Sequence, residues 1–300
     1  MKVLVSGGGG QLARCLVERA ARVPGLELVA LDRTGLDLTD AMSVGAVVRE
    51  VGPAVVINAA AHTGVDAAED EPQRAFAVNA GGAGRLAEAA RHAEAHLIHL
   101  STDYVFDGRA SHPYREENPT GPLGVYGHSK LAGERDVRAA HDEAVIVRTA
   151  WVCSPFGRNF VRSILAAARD RDMLDVVSDQ RGSPTSALDL ADALLAVIDR
   201  WRREGRTGLG ATYHVVGAGA ASWFEVAQHV MAEAERHGLP FATVRPIAAA
   251  DWPARAPRPA WSVLDSRRFE ADFGFAMRDW RMAFSEIVAR IAEDEAPPCG

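Results

Sequence analysis

Lys2-Val-Leu-Val-Ser-Gly-Gly-Gly-Gly10-Gln-Leu-Ala13 follows the first residue and decides how the rest of the chain is read. A short β-type apolar run enters a cluster of glycines and leaves it on a helix-forming stretch. Gly7 and Gly10 permit a tight turn and a close approach of backbone to a pyrophosphate. Ala13 is small enough for the helix to pack on the strand. The spacing, G-x-x-G-x-x-A, differs from the wider G-x-G-x-x-G pattern, and a glycine turn without a ligand is the plainer alternative. Its place directly after the first strand argues for a dinucleotide.

Outward from this turn the same grammar repeats. Apolar runs at 2–6, 27–31, 54–58, 96–102 and 144–149 read as strands, and 11–22, 41–51, 73–93 and 125–140 as helices between them. Strands with few polar positions, each followed by a helix, predict a parallel sheet covered on both faces. Right-handed crossovers make it a doubly wound, Rossmann-like α/β fold. Beyond residue 150 the pattern loosens into helices at 159–169, 188–203 and 280–291 and strands at 174–178 and 212–216. Ser222-Trp-Phe-Glu225 reads as a capping box opening a further helix. The expected division is a dinucleotide-binding domain at 1–150, and at 151–295 a smaller α/β substrate lobe that can return elements to the first domain. The tail Ala296-Pro-Pro-Cys-Gly300 reads as frayed.

Composition narrows the partners. With 48% hydrophobic and 24% charged residues, the 300-residue chain can bury a full core. A net charge of −7 provides no basic field for nucleic acid or anionic lipid. A phosphorylated ligand remains compatible, because N–H groups at a helix start bind phosphate without Lys or Arg. Cys15, Cys153 and Cys299 lack metal-ligand spacing, so no metal is expected, and their scarcity fits a reducing compartment. No signal peptide or membrane span is read, and the cytoplasm is the expected location.

Asp32 ends the second strand, where a carboxylate suits ribose hydroxyls; Arg33, next to it, suits a 2′-phosphate. NADH and NADPH both stay open. Asp37 and Leu38 are placed to approach the adenine, and Asn58-Ala-Ala-Ala-His-Thr63 follows the third strand at the ligand edge of the sheet. Ser101-Thr102-Asp103 leaves the fourth strand at the same edge. In Tyr126-Gly-His-Ser-Lys130 the i, i+4 spacing puts phenol and ammonium on one helical face. A free tyrosine titrates near ~10. A positive charge ~4 Å away at an effective dielectric of ~20 is worth at most ~4 kcal/mol, or ~3 pKa units. Thr102 can hold a carbonyl oxygen within reach of the Tyr126 proton.

Taken together, Gly10-Gln-Leu12, Asp37-Leu-Thr-Asp40, Asn58-Ala-Ala-Ala-His-Thr63, Ala77-Val-Asn-Ala80, Ser101-Thr-Asp-Tyr-Val-Phe-Asp-Gly108, Tyr126-Gly-His-Ser-Lys-Leu-Ala-Gly-Glu134 and Arg148-Thr-Ala-Trp151 closely resemble the dTDP-4-dehydrorhamnose reductase family. Asp179-Gln-Arg-Gly-Ser-Pro-Thr185 and Arg258-Pro259 carry the likeness toward residue 285. The resemblance implies an extended short-chain dehydrogenase/reductase that reduces a dTDP-linked keto-deoxyhexose to dTDP-L-rhamnose with NADPH or NADH. It implies Thr102, Tyr126 and Lys130 as catalytic residues. Gly7, Gly10, Gln11, Leu12, Asp32, Arg33, Asp37, Leu38, Ala61, His62, Thr63, Tyr126 and Lys130 are the expected cofactor residues. Thr102, Asp103 and Trp151 are expected at the sugar, with Arg181 and Arg258 as candidates for its pyrophosphate.

The chain also departs from the family pattern. Gly124 stands where Asn is usual, and Ala150 and Cys153 flank Trp151 where larger or hydroxylated residues are expected. Cys15 occupies a position where some members carry a magnesium-binding glutamate at a subunit contact, so no such metal is expected. These changes keep a second reading open, a 4-ketoreductase of another nucleotide-linked deoxysugar. A catalytically silent regulatory subunit is the third, and the intact Thr/Tyr/Lys set argues against it. A homodimer is the base-rate assembly.

Overall fold

The computed structural model of the chain describes residues 1–295; the tail Ala296-Pro-Pro-Cys-Gly300 lies outside the described residues. The order opens with β1 (Lys2–Ser6), α1 (Gln11–Ala20), β2 (Glu27–Leu31), α2 (Ala41–Val51) and β3 (Val55–Asn58). Next come α3 (Val65–Asp70), α4 (Pro72–Phe76), α5 (Ala83–His92), β4 (His96–Thr102), α6 (Val125–Ala140), β5 (Val145–Thr149) and β6 (Val152–Cys153). The chain continues with α7 (Phe160–Ala167), β7 (Met173–Val177), β8 (Arg181–Gly182), β9 (Thr185–Ser186), α8 (Ala187–Glu204) and β10 (Thr212–His214). It closes with β11 (Ala221–Ser222), α9 (Trp223–Arg236), β12 (Thr243–Ile247), α10 (Arg267–Phe273) and α11 (Trp280–Glu295).

Six strands form one parallel sheet in the order β10-β5-β4-β3-β1-β2. The strand period of two explains its layers. Val3 and Val5 face the core shared with α1 and α8, while Leu4 faces the core under α2 and α5. Val55 and Ile57 against Val56, and Ile98 against Leu97, divide in the same way. Where both faces are buried, as in β1 and β3, the strand reads as nearly continuous aliphatic sequence. The fold is the doubly wound α/β expected from the sequence, and β10 and α8 contribute to it from beyond residue 150. A separate core gathers α7, α9 and α11 around Trp280, Phe284 and Val230.

Helix starts follow their caps. Asp40 accepts from the N–H groups of Met42 and Ser43, and Asn159 from that of Arg162. The capping box read at Ser222 and Glu225 forms on both sides.

The stretch read as one helix over 73–93 departs from expectation. α4 passes into a π-helical turn at Ala77–Gly82 before α5 begins. This wider turn carries Asn79 inward, where its amide bonds the backbone of His62 and the hydroxyl of Ser129. Besides the two-residue strands β6, β8, β9 and β11, three longer elements, α3, β12 and α10, were not anticipated. Two are short helices, and β12 carries Arg245 and Pro246 on a two-stranded edge with β7, which masks any alternating pattern.

Candidate active site

β1 crosses to β2 on one side and the chain returns through β3 on the other, so the sheet order reverses between β1 and β3. Crevices at the carboxyl ends of strands beside such a reversal are where open α/β sheets take ligands. A cleft of about 780 Å³ lies there. Its walls contain Gly7, Gly10, Gln11, Leu12, Asp32, Arg33, Asp37, Leu38, Ala61, His62 and Thr63, and further along Thr102, Asp103, Tyr126, Lys130 and Trp151. All of these were singled out from the sequence.

The glycine turn is close-fitted. Gly7 takes a positive φ of 78°, and a Cβ there would meet the Ala60 backbone at 2.9 Å. No side chain caps α1 at Gly10, so the first N–H groups of the helix open toward the cleft. Behind the turn, Ser6 donates to Asn58 Oδ1 at 2.8 Å, and Asn58 Nδ2 lies 3.0 Å from His99 Nδ1. Gln11 ties the turn to the far side of the cleft, accepting from Ser154 at 3.0 Å.

Asp32 Oδ1 accepts from the Thr34 N–H at 2.9 Å and from its hydroxyl at 2.6 Å, and these bonds hold the carboxyl below the usual range. Arg33 is exposed and pairs loosely with Asp37 at 3.2 Å. Three buried polar atoms of the cleft lining, His62 Nδ1, Asp103 Oδ2 and Thr149 Oγ1, have no hydrogen-bond partner in the chain. An open helix start, a glycine cradle and orphaned polar atoms together fit a bound dinucleotide and a polar second ligand.

At the other end, Thr102 closes β4 beside Thr149 of β5. Its hydroxyl accepts the Tyr104 N–H at 3.2 Å and lies 3.1 Å from Asp103 Oδ1. Tyr126 and Lys130 lie one turn apart near the start of α6. Burial pushes the Tyr126 phenol up to about 12; the Thr102 hydroxyl offsets part of this and the Asp103 charge adds to it. Burial pulls Lys130 down to about 8, opposed by Glu134. The ammonium donates to the Leu100 carbonyl at 2.6 Å. Proximity to Lys130 was expected to lower the phenol; in the chain alone burial dominates and Tyr126 is held as a neutral acid. Burial also raises Asp103 to about 6, opposed by the Thr102 hydroxyl on its Oδ1.

Beneath these groups lies a network that sequence reasoning quoted but gave no role. Ser101 donates to Glu134 at 2.5 Å, and Arg148 grips the same carboxylate at 2.9 and 2.8 Å. Both members of the ion pair are buried. With Ser101 the pair joins β4, which carries Thr102, and α6, which carries Tyr126 and Lys130, to β5. The spacing Lys130 to Glu134, one turn along a buried face, was the available signal. Asn79 and Trp223 were missed as well. A polar residue inside an alanine-rich helix pointed to Asn79, and Trp223 had no local sign.

Trp151 adopts a left-handed φ of 47°, which costs a bulky residue about 1–2 kcal/mol. The two arginines expected at the ligand's pyrophosphate are not brought into the cleft. Arg181 pairs with Glu225 at 3.3 Å, and Arg258 makes a two-pronged contact with Asp66 at 3.1 and 2.7 Å. That contact holds the Asp66 carboxyl down at about 2. In each case a nearby carboxylate holds the guanidinium.

A family model described as the RmlD substrate binding domain matches residues 1–293. The chain belongs to this family. A dTDP-4-dehydrorhamnose reductase from Sinorhizobium fredii is 40% identical over 288 residues, covering 96% of this chain and 97% of the relative. A probable dTDP-4,6-dihydroxy-2-methyloxan-3-one 4-ketoreductase from Streptomyces antibioticus is 40% identical over 300 residues, covering 99% and 98%. Among RmlD-family structures, the dTDP-4-dehydrorhamnose reductase of Bacillus anthracis in complex with NADP superposes with a TM-score of 0.88 at 33% identity, covering 96% of this chain and 99% of that one. Among the described residues, no helix is long and apolar enough to cross a membrane, and no cluster of His, Cys, Asp and Glu suits a metal ion.

Proposed function

We propose that this chain reduces the C4 ketone of dTDP-4-dehydro-6-deoxy-L-mannose to dTDP-L-rhamnose with NADPH or NADH. The observation that carries the reading is one cleft with the glycine turn at one end and Thr102, Tyr126 and Lys130 at the other. The N–H groups at the start of α1 would hold the dinucleotide pyrophosphate, and the backbone of Ala61 to Thr63 would hold its nicotinamide half. When bound, the reduced nicotinamide supplies the hydride. The chain supplies a proton. Thr102 orients the ketone oxygen, and Tyr126, a neutral phenol at working pH, gives its proton to that oxygen. Lys130 holds ribose hydroxyls and stabilises the phenolate that results. Trp151 shields the reacting carbon from water.

A second reading, reduction of a different dTDP-linked keto-deoxysugar, is favoured by the Streptomyces antibioticus ketoreductase at equal identity. We place the enzyme in the cytoplasm, in keeping with its buried free Cys15 and Cys153, and expect a homodimer. The test follows NADPH and NADH absorbance with the keto sugar generated in place and identifies the product by NMR. Oxidation yielding dTDP-L-rhamnose supports the first reading, and a C4 epimer or another deoxysugar the second. Absence of oxidation with any dTDP-linked keto sugar overturns both.

A further inference from the structure

Trp151 and Trp223 both line the cleft, and their indoles stack face to face, with centroids 3.6 Å apart and planes within 5°. Phe160 backs Trp223 at 4.5 Å. The edge of Trp151 lies against Gly182, where any side chain would overlap the ring. The Trp151 indole is therefore fixed between a bare backbone and a second indole, on a backbone that is itself in the left-handed region.

The support for Trp223 is equally definite. It is the first residue of α9, directly after the cap Ser222. The Ser222 N–H donates to Glu225 at 2.6 Å, and Glu225 receives Arg181 at 3.3 Å. Arg181 and Ser222 are register partners across β8 and β11, and Gly182 is the next residue. One small ribbon thus places both Gly182 and Trp223 against Trp151. In this arrangement Arg181 acts from behind the wall, through Glu225.

We propose that Trp223 is a positioning residue for the keto sugar, stacking on Trp151 to fix that indole as a rigid apolar wall at the sugar end of the cleft. The proposal rests on the ketoreductase reading. A fixed indole offers the C–H face of a hexose a surface that needs no ordering on binding. Without Trp223 the Trp151 ring remains but is free to turn.

The test is steady-state kinetics of Trp223→Ala, Trp223→Phe, Trp151→Ala and the double variant, with melting temperature as a check on folding. The worth of one aromatic pair converts to roughly a tenfold rise in KM for the keto sugar in Trp223→Ala. Cofactor affinity stays unchanged and kcat changes less than KM. Trp223→Phe keeps an aromatic partner and recovers most of the loss. The double variant matches Trp151→Ala alone, because both substitutions remove the same wall. The far-ultraviolet exciton signal of the stacked indoles disappears in every variant. Active wild-type enzyme with an unchanged KM in Trp223→Ala, or effects of the two alanines that multiply, overturns the proposal alone. If Trp223→Ala fails to fold, Trp223→Phe decides: loss of the exciton signal with most of the KM retained supports the proposal, and a KM as high as that of Trp151→Ala overturns it. A wild-type chain that turns over no keto sugar removes the ketoreductase reading and this proposal with it.

Discussion

At the dinucleotide end of the cleft the walls are mostly backbone: a glycine turn, the open start of α1 and the small residues after β3. At the end assigned to the sugar they are side chains, with Lys130 and Asp103 buried, Tyr126 partly exposed to the cleft and Trp151 leaning on Trp223. The first end is set by the parallel sheet and tolerates variation in side chains that point away. The second depends on side chains held by partners far away in sequence, so it carries both the chemistry and the cost of burying charge. Substitutions should therefore separate the two ends, sparing cofactor binding when the sugar end is changed and the reverse.

The largest effect is expected at Tyr126. Tyr126→Phe should lose about 10²–10⁴-fold in turnover while still binding NADPH, as measured by single-turnover kinetics and cofactor titration. Equal loss of cofactor binding would break the separation. Next comes the support beneath the catalytic groups. Glu134→Ala leaves Arg148 buried without its partner, and urea denaturation should show a loss of about 3–5 kcal/mol.

Asp103 sharpens the contrast through pH. Its carboxyl titrates at about 6 in the folded chain, against roughly 3.9 when unfolded. The folded state therefore binds more protons between these values, and its stability falls as pH climbs through them. About two units correspond to about 3 kcal/mol, lost by pH 7. Asp103→Asn should thus be more stable than wild type at pH 7.5 by up to about 3 kcal/mol and show no gain near pH 3. Melts at the two pH values check the sign. The smallest effect belongs to the dinucleotide end. Arg33 is exposed and Asp32 is turned onto Thr34, so Arg33→Ala should raise KM for NADPH by roughly tenfold and leave NADH nearly unchanged.

The same contrast explains what could be read in the sequence. Residues 2–6 were legible as a strand because burial on both faces leaves a nearly continuous aliphatic run, whereas 27–31, partly exposed at the sheet edge, was legible from its Leu-Val-Ala-Leu and 96–102 from the leucines and isoleucine among its polar residues. The glycine turn was legible because it lies between adjacent elements. Thr102, Tyr126 and Lys130 were legible as chemical types at a strand end and on one helix face. The π turn around Asn79 was not, since it reflects a tertiary bond to His62 rather than local propensity. Trp223 was not, because it meets Trp151 only after the chain has built β8, β11 and α9. Arg181 and Arg258 were candidates by charge and forked geometry, and their carboxylate partners, Glu225 and Asp66, lie 44 and 192 residues away along the chain.

The central claim is that this cleft delivers a hydride to C4 and a proton from Tyr126 to the oxygen on it. It is tested most directly with NADPH carrying deuterium at nicotinamide C4, the keto sugar generated in place, and NMR of the product from wild type and Tyr126→Phe. The account predicts deuterium at C4 of dTDP-L-rhamnose with wild type and almost none with the variant. Deuterium at another carbon, or equal labelling by the variant, would contradict it.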